Sequence, residues 1–127
     1  MGDTTVPMKM RITREDFLKG KLLVPGWYSA LISEIESGLS KKGDSTNYVV
    51  SFKILDEGPF KDCIVMKTFN EKAPGVAVPY FSAVAGKEIE PDNEFDFEAT
   101  KGRKISVLVG NDTYNNRMVN AVLDYRP

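Results

Sequence analysis

The order in which alternating apolar runs and one helical run follow each other is the strongest constraint on this chain. Trp27 to Glu36 (WYSALISEIE) alternates on both parities. Trp27, Leu31 and Ile35 fall on one side, and Tyr28, Ala30 and Ile32 on the other. A strand apolar on both faces is central in its sheet or strongly bent over a barrel. Asn47 to Leu55 is the second run, with Tyr48, Val50, Phe52 and Ile54 on its apolar face and Asn47, Val49, Ser51 and Lys53 on the other. Asp56-Glu57-Gly58-Pro59 is turn chemistry, and Cys63 to Phe69 is a third run, expected antiparallel to the second. Pro74-Gly75 interrupts the alternation. Val76 to Ala85 then reads as a short helix, with Pro79 tolerated in its first turn and Gly86 as its stop; Phe81, Val84 and Ala85 are expected to face the core. Lys104 to Val109 and Arg117 to Tyr125 are the fourth and fifth runs, separated by an expected loop, Asn111 to Asn116.

Three strands, a helix and two strands is the element order of the OB-fold, a small five-stranded Greek-key barrel. The expected fold is therefore all-β with short helices, the main helix lying between strands three and four. Other short five-stranded barrels fit the same string. In front of the barrel, Thr13-Arg14-Glu15-Asp16 is a capping-box pattern that should start a helix over residues 14–19, ending at Gly20. The expected organisation is a loose leader over residues 1–8, an N-terminal extension with a short helix over residues 1–24, and a barrel over residues 25–127.

Composition narrows the chemistry. The chain has no histidine and a single cysteine, Cys63. The commonest general base and the commonest transition-metal ligand are absent, and neither an internal disulfide nor a Ser-His-Asp or Cys-His arrangement can form. Cys63 reads as a half-buried small residue. A phosphate-binding loop is lacking as well. No run is long enough to span a bilayer, and the N-terminus has no secretion signal or myristoylation pattern, so no membrane partner is expected. Net charge is −1, but residues 88–98 (EIEPDNEFDFE) hold six acids and no base; the remainder, −1 less −6, carries +5. A mildly basic face and a separate acidic one are the expectation, against the plainer reading of a mixed solvated surface.

Several segments taken together resemble a family of small bacteriophage and prophage OB-fold proteins linked to single-stranded DNA binding. They are LLVPGWYSALISEIE, SKKGDSTNYVVSFKILDEGPFKD, FNEKAPG, GKEIEPDNEFDFEATKGRKISVLV and YNNRMVNAVLDYRP, covering residues 20–127. MKMRITREDFLKGK is similar to the N-terminal extension of one branch. The resemblance implies a non-sequence-specific single-stranded DNA-binding protein acting in phage replication or recombination, with no enzymatic activity and no cofactor, in the cytoplasm of an infected bacterial host, with other replication or recombination proteins as partners. The bacterial-type relatives end in an acidic partner-recruiting tail, which is lacking where this chain stops at Asp124-Tyr125-Arg126-Pro127.

A barrel of this kind holds a single strand across the outer face of strands two and three, flanked by the loops joining strands one–two and four–five. Cations track the phosphates and exposed rings stack on bases. Lys41 and Lys42 fall in the first loop, and Tyr114 and Arg117 at the second. Lys53 is on the polar parity of strand two. If Ile64 and Met66 point inward, Lys67 and Phe69 point out onto the binding face. Trp27 is either a stacking platform or a packing surface for the N-terminal helix. Tyr48 reads as core at the barrel rim, and Phe52, Phe95 and Phe97 as core. Ordinary solvated lysines and one edge aromatic remain the alternative for the whole set. Low net charge predicts few phosphate contacts and several copies acting together as a homo-oligomer. The competing functional reading is an OB-fold protein-interaction module with little DNA binding; a carboxylate-based metal hydrolase is a third.

Overall fold

The computed structural model describes residues 8–127, so the leader expected over residues 1–8 lies, but for Met8, outside them. The chain is mostly β, with a five-stranded antiparallel sheet and two short α-helices. Helix α1 spans Arg14–Gly20 and starts where the capping box predicts. The Thr13 hydroxyl accepts from the Asp16 amide at 3.1 Å, and the Asp16 carboxylate accepts from the Thr13 amide at 3.0 Å. Strands β1 (Gly26–Leu39), β2 (Thr46–Ile54) and β3 (Ile64–Asn70) follow. A 3-10 turn, Pro74–Ala77, leads into α2 (Val78–Ala85), with Pro79 in the first turn and Gly86 closing the helix at φ +75°. A short 3-10 turn at Glu98–Thr100 precedes β4 (Lys104–Tyr114) and β5 (Arg117–Arg126).

The strands pair in the order β3-β2-β1-β4-β5. The two edges, β3 and β5, do not share backbone hydrogen bonds, yet their side chains meet inside the curve of the sheet. The rings of Phe69 and Tyr125 lie 6.3 Å apart. Helix α2 fills the gap between them: Tyr80, fully buried, packs within 6.0 Å of Phe52, Phe69 and Tyr125. Tyr80, Phe81 and Ala83 are the buried residues of α2, so its core face is shifted from the expected Phe81, Val84 and Ala85; Val84 is half-buried and Ala85 exposed. A network of tilted and edge-on rings is the centre of the core, an arrangement that aromatic quadrupoles favour over face-to-face stacking.

The two-sided pattern of the first strand has a specific cause. A bulge between Ile32 and Glu34 resets the parity of β1, so Ala30, Ile32 and Ile35 all face inward although Ile35 is out of phase. The expected loop after the fourth strand shrinks to two residues. Strands β4 and β5 continue as a paired arm to Tyr114 and Arg117, joined by Asn115-Asn116, both left-handed at φ 51° and 62°. Asparagine tolerates that conformation, and cross-strand pairing outweighs the weak β-propensity of Asn111 and Asp112.

The extension is tied to the sheet. Leu23 is buried in the core, and Asn120 of β5 clamps the segment before it, accepting from the Leu23 amide at 2.9 Å and donating to the Lys21 carbonyl at 2.8 Å. Helix α1 itself lies against the outer face of β1–β3, where Arg14, Leu18 and Lys19 border a shallow depression with Glu34, Glu36, Lys53 and Met66. No helix among the described residues is long and apolar enough to cross a membrane.

Candidate nucleic-acid interface

The β1–β2 connection is a shaped turn. The Gly43 amide donates to the Ser40 carbonyl at 2.8 Å, and Gly43 stands at φ +70°, a conformation that favours glycine. Lys41 and Lys42 are the two corner residues and are exposed. Asp44 fixes the base of the turn, accepting from the Ser40 hydroxyl at 3.1 Å and pairing with Lys72 at 2.8 Å; these contacts hold its carboxyl below the usual range. Across from this turn stands the tip of the β4–β5 arm. Lys41 Nζ lies 3.1 Å from the Tyr114 hydroxyl and 5.8 Å from its ring centre. The ammonium beside it pulls the Tyr114 phenol below its ordinary pKa. Arg117 is the cross-strand partner of Tyr114, so both leave the same side of the arm. Four of the eight residues expected from sequence, Lys41, Lys42, Tyr114 and Arg117, therefore form one cationic corner with an exposed ring.

The other four do not join it. Lys53 is on the outer face of β2 as expected, but it faces Asp62 at 3.7 Å and lies in the depression beside α1, among Glu34 and Glu36. Trp27 is on the outer face opposite Leu108, six residues along β4 from Tyr114, which is ~20 Å of strand. Its ring is covered by the Arg126 guanidinium, 4.1 Å from the ring centre. Arg126 was not anticipated: only the pairing of β1, β4 and β5 brings the chain's end over Trp27.

Strand β3 corrects the expectation for Lys67 and Phe69. Cys63, Val65 and Phe69 point inward, with Phe69 only 2% exposed, while Ile64, Met66 and Thr68 point outward. Phe69 is a core residue with no surface for stacking on a base. Lys67 shares its parity and is half-buried against the inner side of the edge strand. The misreading has a physical origin. Strand β3 is apolar on both parities because one face meets the core and the other meets α1, whose Leu18 lies by Ile64 and Met66. Cys63 is fully buried rather than half-buried, and burial pushes its thiol pKa up.

A second feature escaped the sequence reading altogether. Between β3, α2 and residues 88–98 opens a cleft of about 960 Å³, floored by Tyr48, Phe69, Phe81, Ile89 and Phe97. Tyr48 and Phe97 stack at 4.7 Å. Phe95, expected in the core, is 39% exposed at the mouth. The alternation of Ile89, Phe95 and Phe97 with acids was visible, but only the fold shows that these side chains wall a cavity.

No three of the His, Cys, Asp and Glu residues among those described converge as a metal site. No protein-family model matches the chain, and no curated protein does either.

Proposed function

We propose that the chain is an OB-fold module that binds single-stranded DNA without reading its sequence. The strand order supports the fold assignment: β3-β2-β1-β4-β5, with β3 and β5 brought together and a helix between strands three and four, is the order of an OB barrel left open between strands three and five. The observation that carries the functional reading is the convergence of the Lys41-Lys42 turn on Tyr114 and Arg117. Three cations and one exposed ring at the junction of the two flanking loops supply what phosphate tracking and base stacking require. The path runs along this loop–arm corner rather than across β2–β3, whose outer face is bordered by α1 and by Glu34 and Glu36 of the neighbouring β1. The resemblance to phage proteins extends the reading to phage DNA replication or recombination in an infected bacterial host, with no catalytic step.

Fluorescence anisotropy of labelled oligo-dT tests the proposal. Affinity should fall as salt rises, because bound cations displace condensed counterions. Replacing Lys41, Lys42 and Arg117 together by Ala should flatten the log–log salt slope by ~2, at about 0.7 per lost single-strand contact. No binding at low salt, or an unchanged slope in the triple variant, would refute it. The protein-interaction reading is favoured by the apolar cleft, and absence of DNA binding would leave it standing.

A further inference from the structure

The cleft and the N-terminal segment have complementary chemistry. Among the described residues, all the charged ones that line the cleft are acids: Glu71, Glu88, Glu90, Asp92, Asp96 and Glu98. None of them takes part in an ion pair among the described residues. A polyanion is repelled from such a rim, whereas a basic segment with apolar anchors is attracted. A segment of that kind precedes α1. In Met8-Lys9-Met10-Arg11-Ile12, apolar and basic residues alternate, and the three apolar side chains are 102%, 86% and 67% exposed. In an extended conformation Met8, Met10 and Ile12 fall on one face and Lys9 and Arg11 on the other. Five extended residues reach ~17 Å. The cleft volume is at the upper end of the ~300–1,000 Å³ typical of ligand sites.

We propose that the cleft receives the Met8–Ile12 segment of a second copy of the chain. The apolar side chains settle on the aromatic floor and Lys9 and Arg11 meet the acidic rim. A second copy fits better than the segment's own cleft. Helix α1 holds the segment on the outer face of the sheet, while the cleft is lined by inward-facing residues, Ile35, Tyr48 and Phe69, on the other side. The contact joins two different surfaces, so it closes as a reciprocal exchange or extends as a chain of copies. It is independent of DNA binding, since the Lys41 corner takes no part in it.

Sedimentation velocity on nuclease-treated full-length protein provides the test. Wild type should associate as concentration rises. Lys9→Glu with Arg11→Glu, and separately Glu88→Lys with Glu90→Lys, should each stay monomeric; all four positions are exposed, so both proteins should fold, as circular dichroism would verify. Mixing the two variants should restore association, because the acidic segment of one then meets the lysines introduced at positions 88 and 90 of the other, whose unaltered basic segment meets an unaltered rim. A wild type that remains monomeric, variants that associate as wild type does, or a mixture that stays monomeric would each overturn the proposal. A monomeric wild type whose segment is nonetheless protected from protease would point to docking within one chain, and equally overturns it.

Discussion

Replacing Phe69 by Ala decides the parity of β3. Its ring is 2% exposed and lies 5.3 Å from Tyr80, 5.4 Å from Phe97 and 6.3 Å from Tyr125. Truncating a buried phenylalanine costs ~3–5 kcal/mol from lost transfer energy and the residual cavity. Because Phe69 also borders the open cleft, the site can partly collapse, and the lower end, ~3 kcal/mol, is expected. With a urea m-value of ~1–3 kcal/mol/M the midpoint should drop by at least ~1 M. The neighbouring Met66→Ala should cost well under ~1 kcal/mol, since that side chain is 47% exposed on the opposite face. The assay is urea denaturation followed by far-UV circular dichroism on both variants. A Phe69→Ala loss as small as that of Met66→Ala would refute the inward parity. It would return Phe69 to the surface, where loss of oligo-dT affinity rather than of stability would follow.

Tyr125 has the one buried side-chain polar atom without a hydrogen-bond partner among the described residues, so Tyr125→Phe should leave stability equal or raise it by ~1 kcal/mol in the same urea assay. Tyr80 is buried and its pKa is pushed up to about 12 by desolvation, opposed by its hydrogen bond with Thr100. The native state therefore keeps this proton where the unfolded chain loses it, so the contribution is intact below pH ~10 and falls by ~1.4 kcal/mol per pH unit up to the folded pKa. Urea midpoints measured across that window should decline; a flat profile would contradict burial of the phenol. Thr13→Ala removes the cap of α1 and should cost ~1 kcal/mol of local helix stability, read as faster amide exchange in residues 14–20 with little change in β2. Leu18→Asp should loosen α1 from the outer face while leaving oligo-dT affinity unchanged; an increase would place the DNA path on β2–β3 instead.

Local signals were legible in the sequence and register-dependent ones were not. The capping box placed α1, the alternation of β2 set its inner face at Tyr48, Val50, Phe52 and Ile54, and Gly86 ended α2, because each depends on residues a few positions apart. Ile35 misled through a bulge that no local pattern announces. Phe69 misled because β3 has apolar neighbours on both faces, and two-sided strands have no parity of their own. Among the candidate residues, Lys41, Lys42, Tyr114 and Arg117 were expected at the two loops that flank the binding face of an OB-fold, but the antiparallel pairing of β1 with β4 runs those loops toward opposite ends of the sheet, and only its curvature brings Lys41 to Tyr114. Arg126 over Trp27 required the pairing of three strands, and the cleft required helix, edge strand and connector together.

A net charge of −1 would suit a polyanion poorly if it were spread evenly, and the fold separates it instead. The Lys41-Lys42 turn and the acidic cleft are neighbours: Glu71, on the cleft rim, accepts from the Thr46 amide at the base of the turn at 2.7 Å, and the Lys72–Asp44 pair stands between the two regions. At physiological salt, charges farther apart than ~8 Å hardly sense each other, so a rim acid beyond that distance from the turn is screened from it there and acts on it only at low salt. The rim reversal Glu88→Lys with Glu90→Lys should therefore speed oligo-dT association at low ionic strength and lose that effect as salt rises, read by stopped-flow anisotropy. An acceleration that persists at high salt would mean that DNA contacts the cleft itself. The separation of a cationic corner from an acidic cleft would then no longer describe the molecule.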